Sequence, residues 1–370
     1  MDPTVRDELL QLFAAGVESP LPDAAFDALA LRAFRSQFES NAIYRGFCES
    51  RGAAPGGVRG WEEVPPVPTR AFKELRLVSG NPDRVERVFR TSGTTRGSAR
   101  RGEHHVLDLA LYDASSLPNL RTHLLPDEER IRILALVPDP KRLPDSSLSY
   151  MVGRAVQAYG AEGSGFFADP VEGVEVGAFR AALDRAEDDG APVLVIGTAF
   201  AFVHWLERAS VERVRHRLPG GSRIMETGGF KGRSRALSRD SLYGELESAL
   251  GIPSSRIVNE YGMTELLSQF YEPVLIDGAE DRRHRSPPWV RTRVLDPVSL
   301  EPVAHGSEGI LCHFDLANLG SICHVLTEDR GVEHRDGFRV IGRSPGAEPR
   351  GCSLAMEGLL AGDGGREGGG

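Results

Sequence analysis

Lysine is almost missing from this sequence: Lys73, Lys141 and Lys231 stand beside 41 arginines in 370 residues. Each surviving lysine marks a place where a compact point charge stands instead of a forked guanidinium. An excess of positive charge is missing as well. The formal net charge is -9, which excludes general binding to nucleic acid or anionic membranes, since both need a positive field. An aromatic-plus-basic surface pattern for single strands is not present either. No apolar run approaches the ~20 residues of a membrane span, so none is expected. The N-terminal MDPTVRDELLQLF lacks a basic start followed by an apolar run, so no secretory signal is expected. The four cysteines, Cys48, Cys312, Cys323 and Cys352, form no CxxC pair and no zinc spacing, which points to reduced thiols in a cytoplasmic protein. A Walker A loop is absent, and so is any internal repeat.

What is there is a globular composition, 40% hydrophobic and 26% charged, in a chain long enough for a large core. DELLQLFAAGV and AFDALALRAFRSQF carry apolar residues at three- and four-residue spacing and predict helices in the first sixty residues. VPPVPTRAFKEL predicts an extended segment before a short helix. VLDLALYDASSL is helical in period. From there strands and helices alternate: IRILALV, SYMVGRAVQAYG, APVLVIGT, AFAFVHWLERA, GSRIMETGG, SRDSLYGELESALG with Ser238 as cap, and RIVNEYG. Such alternation predicts an α/β fold, a mostly parallel sheet covered by helices, with sites in the loops after the strands. Beyond Pro273 the short strands WVRTRVLDP, EPV, GILCHFDL, CHVLTED and FRVIGR predict a smaller β-rich part. The tail GDGGREGGG, within residues 362–370, is low-complexity and reads as disordered.

Three loops carry chemistry. RTSGTTRGSARRG (90–102) concentrates hydroxyls, glycines and arginines. Its backbone N–H groups can form an anion nest, although a basic patch for nucleic acid or a plain surface turn has the same composition. METGGFKG (225–232) sets two glycines after a strand, which permits close approach of a ligand or simply turns the chain into a helix. NEYGMTE (259–265) joins an aromatic ring, a hydroxyl and a carboxylate: a purine on Tyr261, a phosphate oxygen at Thr264 and Mg²⁺ on Glu265. The alternative is a buried tyrosine followed by a capping Thr–Glu pair. His104 and His105 follow the first loop, where they either reach the carboxylate or a phosphate or face solvent at a helix start; they are kept out of the site.

Together, TSGTT, the glycine pair, YGMTE, TED (327–329) and GR (342–343) resemble, in order, the motifs of adenylate-forming enzymes: acyl-CoA synthetases, adenylation domains and luciferases. A narrower resemblance is to the LuxE-type acyl-protein synthetases. It is carried by VPPVPTRAFK (64–73), TSGTT, ETGGFK (226–231), PPWVRTRVLDPVSLEPV (287–303) and RGCSL (350–354).

The resemblance implies the large N-terminal domain of an adenylate-forming enzyme over residues 1–343, with the usual C-terminal domain missing or vestigial. Residues 344–361 then form a short segment with an acyl-acceptor cysteine. It implies ATP and Mg²⁺ as cofactors and a carboxylic, typically fatty, acid as substrate. The acyl group, held as a thioester on Cys352, would pass to a partner such as an acyl reductase of the LuxC kind. Thr91, Ser92, Gly93, Thr94 and Thr95 would cradle the leaving phosphates. Gly228, Gly229, Phe230, Tyr261, Gly262 and Met263 would border the nucleotide. Thr264 would stand near the α-phosphate, Glu265 on Mg²⁺, Asp329 on the ribose hydroxyls, and Arg343 at the hinge. Arg350 beside Cys352 would favour its thiolate. Relatives supply a catalytic lysine from the C-terminal domain, whereas none of the 27 residues after Arg343 is lysine. Lys231 is the first candidate to replace it and Lys73 the second. Arg96 stands where relatives often carry glycine, and Arg100 or Arg101 where they carry lysine.

Overall fold

The helical spacing of the first sixty residues is realised as Pro3–Ala14 (α1), Asp23–Ser40 (α2) and Ala42–Ser50 (α3). Asp2 and Asn41 cap α1 and α3 with their side chains, satisfying N–H groups that a helix start leaves unpaired. The computed structural model describes residues 1–92, 100–212, 214–228, 238–278, 280–343, 356 and 359. Gly93, Thr94, Thr95, Gly229, Phe230, Lys231 and Cys352 lie outside the described residues. So does the tail 362–370. In the segment 344–361 only Met356 and Leu359 are described, and both are buried.

The chain divides into two compact units. The first comprises Met1–Pro118, Met263–Ser268 and Arg285–Gly370; the second comprises Asn119–Gly262 and Gln269–His284.

In the first unit, VPPVPTRAFKEL forms Val67–Pro68 (β1) and Ala71–Glu74 (α4). Arg87–Arg90 (β2) and Glu103–Val106 (β3) then pair as an antiparallel hairpin. Leu109–Leu124 (α5) begins in this unit and ends in the second. His104 and His105 correct the sequence reading. They lie on β3, not at a helix start, and are 1% and 7% exposed: consecutive strand residues face opposite sides, and both sides of this strand are covered.

The second unit is the alternating part. Its strands are Arg132–Pro138 (β4), Gly165–Asp169 (β5), Gly173–Val174 (β6), Val193–Thr198 (β7), Arg223–Thr227 (β8), Ile257–Tyr261 (β9) and Phe270–Tyr271 (β10). They form one sheet in the order β10-β9-β8-β7-β4-β5-β6. The five strands from β9 to β5 pair in parallel, and β10 and β6 close the edges antiparallel. Central parallel strands bury both faces, which explains the unbroken apolar runs ILALV and VLVI. The helices are Ser147–Tyr159 (α6), Val176–Asp189 (α7), Ala199–Glu212 (α8), Arg239–Leu250 (α9) and Val274–Asp277 (α10). Phe179, Phe202, Trp205 and Leu246 pack with Val195 and Ile224 in its core. Ser238 caps α9 as expected, accepting from the Ser241 amide.

The β-rich part returns to the first unit as Val290–Leu295 (β11), Glu308–Asp315 (β12), His324–His334 (β13) and Gly337–Arg343 (β14). The order is β1-β13-β12-β11, with β14 also on β13. β1 joins parallel, aligning Val67 with Val325 and Pro68 with Leu326. EPV is no strand: only an isolated bridge, Leu295 to Pro302, forms there. Phe26, Trp61, Phe314 and His324 interlock beneath this sheet, with ring centroids 5.3–6.0 Å apart.

Candidate active site

In the first unit, the hydroxyl-rich stretch connects the paired strands β2 and β3. Its base is clasped at Thr91, whose N–H donates to the Gly102 carbonyl at 2.9 Å and whose Oγ1 accepts from the Gly102 N–H at 2.9 Å. Arg101 closes the clasp, with Nε donating to the Thr91 carbonyl at 2.6 Å. Ser92 follows, exposed. Beside this base lies a cavity of about 470 Å³, lined by Lys73, Arg76, Arg90, Arg100, Arg101 and Glu103 among others. Arg90, Arg100 and Arg101 therefore gather with Arg76 and Lys73 on one concave, cationic surface within an acidic protein.

The MTE segment, Met263–Glu265, is fixed from below. Asn318 Nδ2 donates to the Glu265 carbonyl at 2.8 Å. Leu267 N and Ser268 N donate to Asp315 Oδ2 at 3.1 and 2.9 Å. Burial lifts the Asp315 carboxyl to about 6. His104 ties the segment to the hairpin, with Nδ1 2.8 Å from the Thr264 carbonyl and Nε2 2.7 Å from Ser321 Oγ. A carbonyl only accepts, so Nδ1 carries the proton and Nε2 accepts from the serine hydroxyl. Burial holds the imidazole pKa down to about 4, so it stays neutral. The Glu265 side chain is buried, and burial pushes its pKa up to about 7. The charges of Arg343 and Lys73 oppose that shift and Asp329 adds to it. Asp329 and Arg343 are direct partners across β13 and β14, with Nε 3.6 Å from Oδ1.

In the second unit, β8 delivers Thr227 to the turn at Gly228, whose φ of +82° favours glycine. β9 runs alongside and ends in Tyr261, half-buried, its ring 5.7 Å from Phe270 and 5.8 Å from His284. Gly262 is the last residue of the unit before the chain crosses to Met263. Behind this edge lies a buried polar network. Tyr243 donates to Glu226 Oε1 at 3.0 Å, and Thr227 donates to Glu260. Glu272 accepts from Arg239 and Arg282 at 2.7 Å each. His284 Nε2 meets Asn259 Oδ1 at 2.7 Å. Burial lifts Glu226 and Glu260 to about 7 each.

Of the residues singled out from sequence, the first unit thus brings Glu265, Asp329 and Arg343 into one electrostatic group, with Thr264 in the same segment. Thr91 stands at the hairpin base beside Lys73. Tyr261, Gly262 and Gly228 stand at neighbouring strand ends of the second unit. His104 and the Glu226–Glu260–Glu272 network were missed. The signal for the network was present: carboxylates inside the apolar strand runs RIMET and RIVNEY need buried partners.

The family model for acyl-protein synthetases, LuxE, matches residues 19–361. A long-chain-fatty-acid–luciferin-component ligase of Vibrio harveyi is 25% identical over 346 residues, 88% of this chain and 85% of that protein. Its counterpart from Aliivibrio fischeri is 25% identical over 350 residues, covering 90% and 88%. Among solved structures, a 2-hydroxyisobutyryl-CoA ligase in its postadenylation state with 2-HIB-AMP superposes with a TM-score of 0.66. It shares 15% identity over 88% of this chain and 69% of its own. ATP-bound MatB from Rhodopseudomonas palustris gives a TM-score of 0.51 at 16% identity and 72% of this chain, which spans about half (49%) of MatB. These likenesses show the adenylate-forming fold.

Proposed function

The chain belongs to the LuxE family of acyl-protein synthetases and is a ligase, and from that premise we propose that it activates a carboxylic acid, of the fatty class, with ATP. The observation that carries the reading is the grouping of Glu265, Asp329 and Arg343 in one unit with the arginine-rich phosphate hairpin. The acid's carboxylate attacks the α-phosphorus, the bond to the β-phosphate oxygen breaks, and pyrophosphate leaves the acyl-adenylate. Negative charge builds on the α-phosphate and on the leaving group, and fixed cations and donors lower that barrier.

Residues 91–95 receive the outgoing phosphates, together with Arg100 and Arg101. Tyr261, Gly228, Gly229 and Phe230, with Gly262 and Met263, border the adenine. Thr264 stands at the α-phosphate, and Asp329 accepts from the ribose hydroxyls with Arg343 beside it. A buried carboxyl with a second carboxylate near it suits a hard divalent cation, so Glu265 fits Mg²⁺. Bound there, Mg²⁺ would draw charge from the phosphates.

The second step rests on sequence. Residues 1–343 form the adenylating domain, and the segment 344–361 carries Cys352. Its thiolate attacks the acyl carbonyl, AMP leaves, and the thioester is delivered to a partner such as an acyl reductase of the LuxC kind. Two measurements test the scheme. Pyrophosphate exchange into ATP must depend on added carboxylic acid, and its absence across acids of all chain lengths overturns activation. Intact-mass spectrometry must show one acyl adduct, labile to hydroxylamine and lost in Cys352→Ser. An adduct retained in that variant, or exchange without any adduct, overturns the thioester step and favours direct transfer to a carrier protein or CoA.

A further inference from the structure

We propose that Lys73 is the catalytic cation of the adenylation step, its ammonium bridging the substrate carboxylate and an α-phosphate oxygen. This rests on the adenylation reading above and assigns the positive charge that reading leaves open.

Four observations place Lys73 there. β1 runs parallel to β13, and the Thr69 N–H donates to the Leu326 carbonyl at 2.9 Å. The short α4 that carries Lys73 is thereby tied to the strand that bears Asp329. Next to it, the Phe72 ring meets the His104 imidazole edge-on at 5.5 Å, and His104 holds the Thr264 carbonyl. Third, Gly102 has no side chain to fill the space above the hairpin clasp. A methyl group there would lie 3.3 Å from Lys73 Cγ and 3.0 Å from Thr91 Cγ2, so the Lys73 stem lies across the base of the phosphate loop. Finally, the Lys73 charge acts on the buried Glu265 carboxyl together with Arg343.

Lys73 is also uncommitted. It is half-buried on the wall of the cationic cavity, and its ammonium forms no salt bridge or hydrogen bond among the described residues. The neighbouring cations are engaged: Arg343 with Asp329 and Glu328, Arg90 with Glu103, Arg101 with the Thr91 carbonyl. A lysine suits the role because a compact ammonium with three rotating donors can serve two oxygens on different groups, whereas a guanidinium presents a planar fork. In a chain with three lysines against 41 arginines, a lysine at this position is a specific choice.

The test uses the full chain and acid-dependent ATP–pyrophosphate exchange. Lys73→Met keeps the apolar stem over Gly102, and Lys73→Gln keeps a polar end. Both should lower the exchange kcat about 100-fold, the scale for losing one fixed charge stabiliser in a transition state. ATP affinity, read by titration calorimetry, should change by no more than about threefold, since an interaction made mainly in the transition state moves kcat rather than binding. Added ethylamine should restore part of the rate in Lys73→Met, which a merely structural lysine would not show. Thermal unfolding of each variant identifies a folding failure, and whichever variant folds carries the test. A folded variant with exchange within about threefold of wild type overturns the proposal. So does a loss of rate matched by an equal loss of ATP binding and unrelieved by ethylamine. Wild-type protein without any acid-dependent exchange overturns the adenylation reading itself, a result distinct from either.

Discussion

Asp329 and Arg343 face each other across the antiparallel ladder of β13 and β14, with Arg343 Nε 3.6 Å from Asp329 Oδ1 and Nη1 3.8 Å from Glu328 Oε2. Asp329 is the more enclosed partner, its side chain 16% exposed against 55% for Arg343. Exposed pairs of this kind contribute about 0–1 kcal/mol to stability, so the pairing orients Asp329 more than it holds the fold. Asp329→Ala is expected to weaken ATP binding about tenfold, the effect of losing a charged hydrogen-bond acceptor. Arg343→Ala should weaken it less. Both should leave the unfolding midpoint nearly unchanged. Titration calorimetry and urea denaturation read the two quantities.

Glu265 sets a proton count. Its carboxyl is raised to about 7, so near neutral pH it is only partly ionised, and a divalent cation requires it ionised. Binding of Mg²⁺ with ATP should therefore release protons below pH 7 and progressively fewer above it, and affinity should rise as pH rises through 7. Calorimetry in buffers of different ionisation enthalpy measures the release. Glu265→Gln should reduce it to the protons that the ATP phosphates themselves give up.

The buried acids give stability a pH dependence. Glu260 is raised from 4.5 to about 7, chiefly by burial. A group with a raised folded pKa contributes stability that is fully present below its unfolded value and is lost as pH rises through the folded one. Between pH 4.5 and 7 the wild-type chain should therefore lose stability through this group. Glu260→Gln, which keeps a neutral partner for Thr227, should lose less. Urea midpoints at pH 5 and pH 8 give the comparison, and the variant should gain on the wild type at pH 8.

His104 works as a neutral tie. Because its pKa lies near 4, it should add no inflection to the pH profile of exchange between pH 6 and 9. His104→Ala leaves the Ser321 hydroxyl and the Thr264 carbonyl without their partner, at a cost of about 1–3 kcal/mol for buried groups. Chemical denaturation should show that loss. The shape of the pH profile of the remaining activity should be the same in both proteins.

The alternating αβ part was legible in the sequence because each strand is a short apolar run and each helix repeats every three to four residues; those signals are local. β4, β7, β8, β9, α6, α8 and the Ser238 cap all lie where periodicity and capping chemistry put them. EPV was misread because strand character depends on a partner along its whole length, and there it meets one only at Pro302. The two histidines were misread for a related reason. A hydroxyl- and glycine-rich loop says nothing of where its ends go, and only cover on both sides of β3 buries the two histidines.

By itself, the sequence determined the family, the order of the motifs and the sparse lysines, since these depend on residue types along the chain. Only the tertiary structure decided which of them share a neighbourhood. TED and GR meet through ladder register, and Lys73 reaches the base of the β2–β3 hairpin because β1 pairs with β13 and Gly102 leaves room for its stem. Such proximity is set by long-range strand pairing and close packing, which no local pattern encodes.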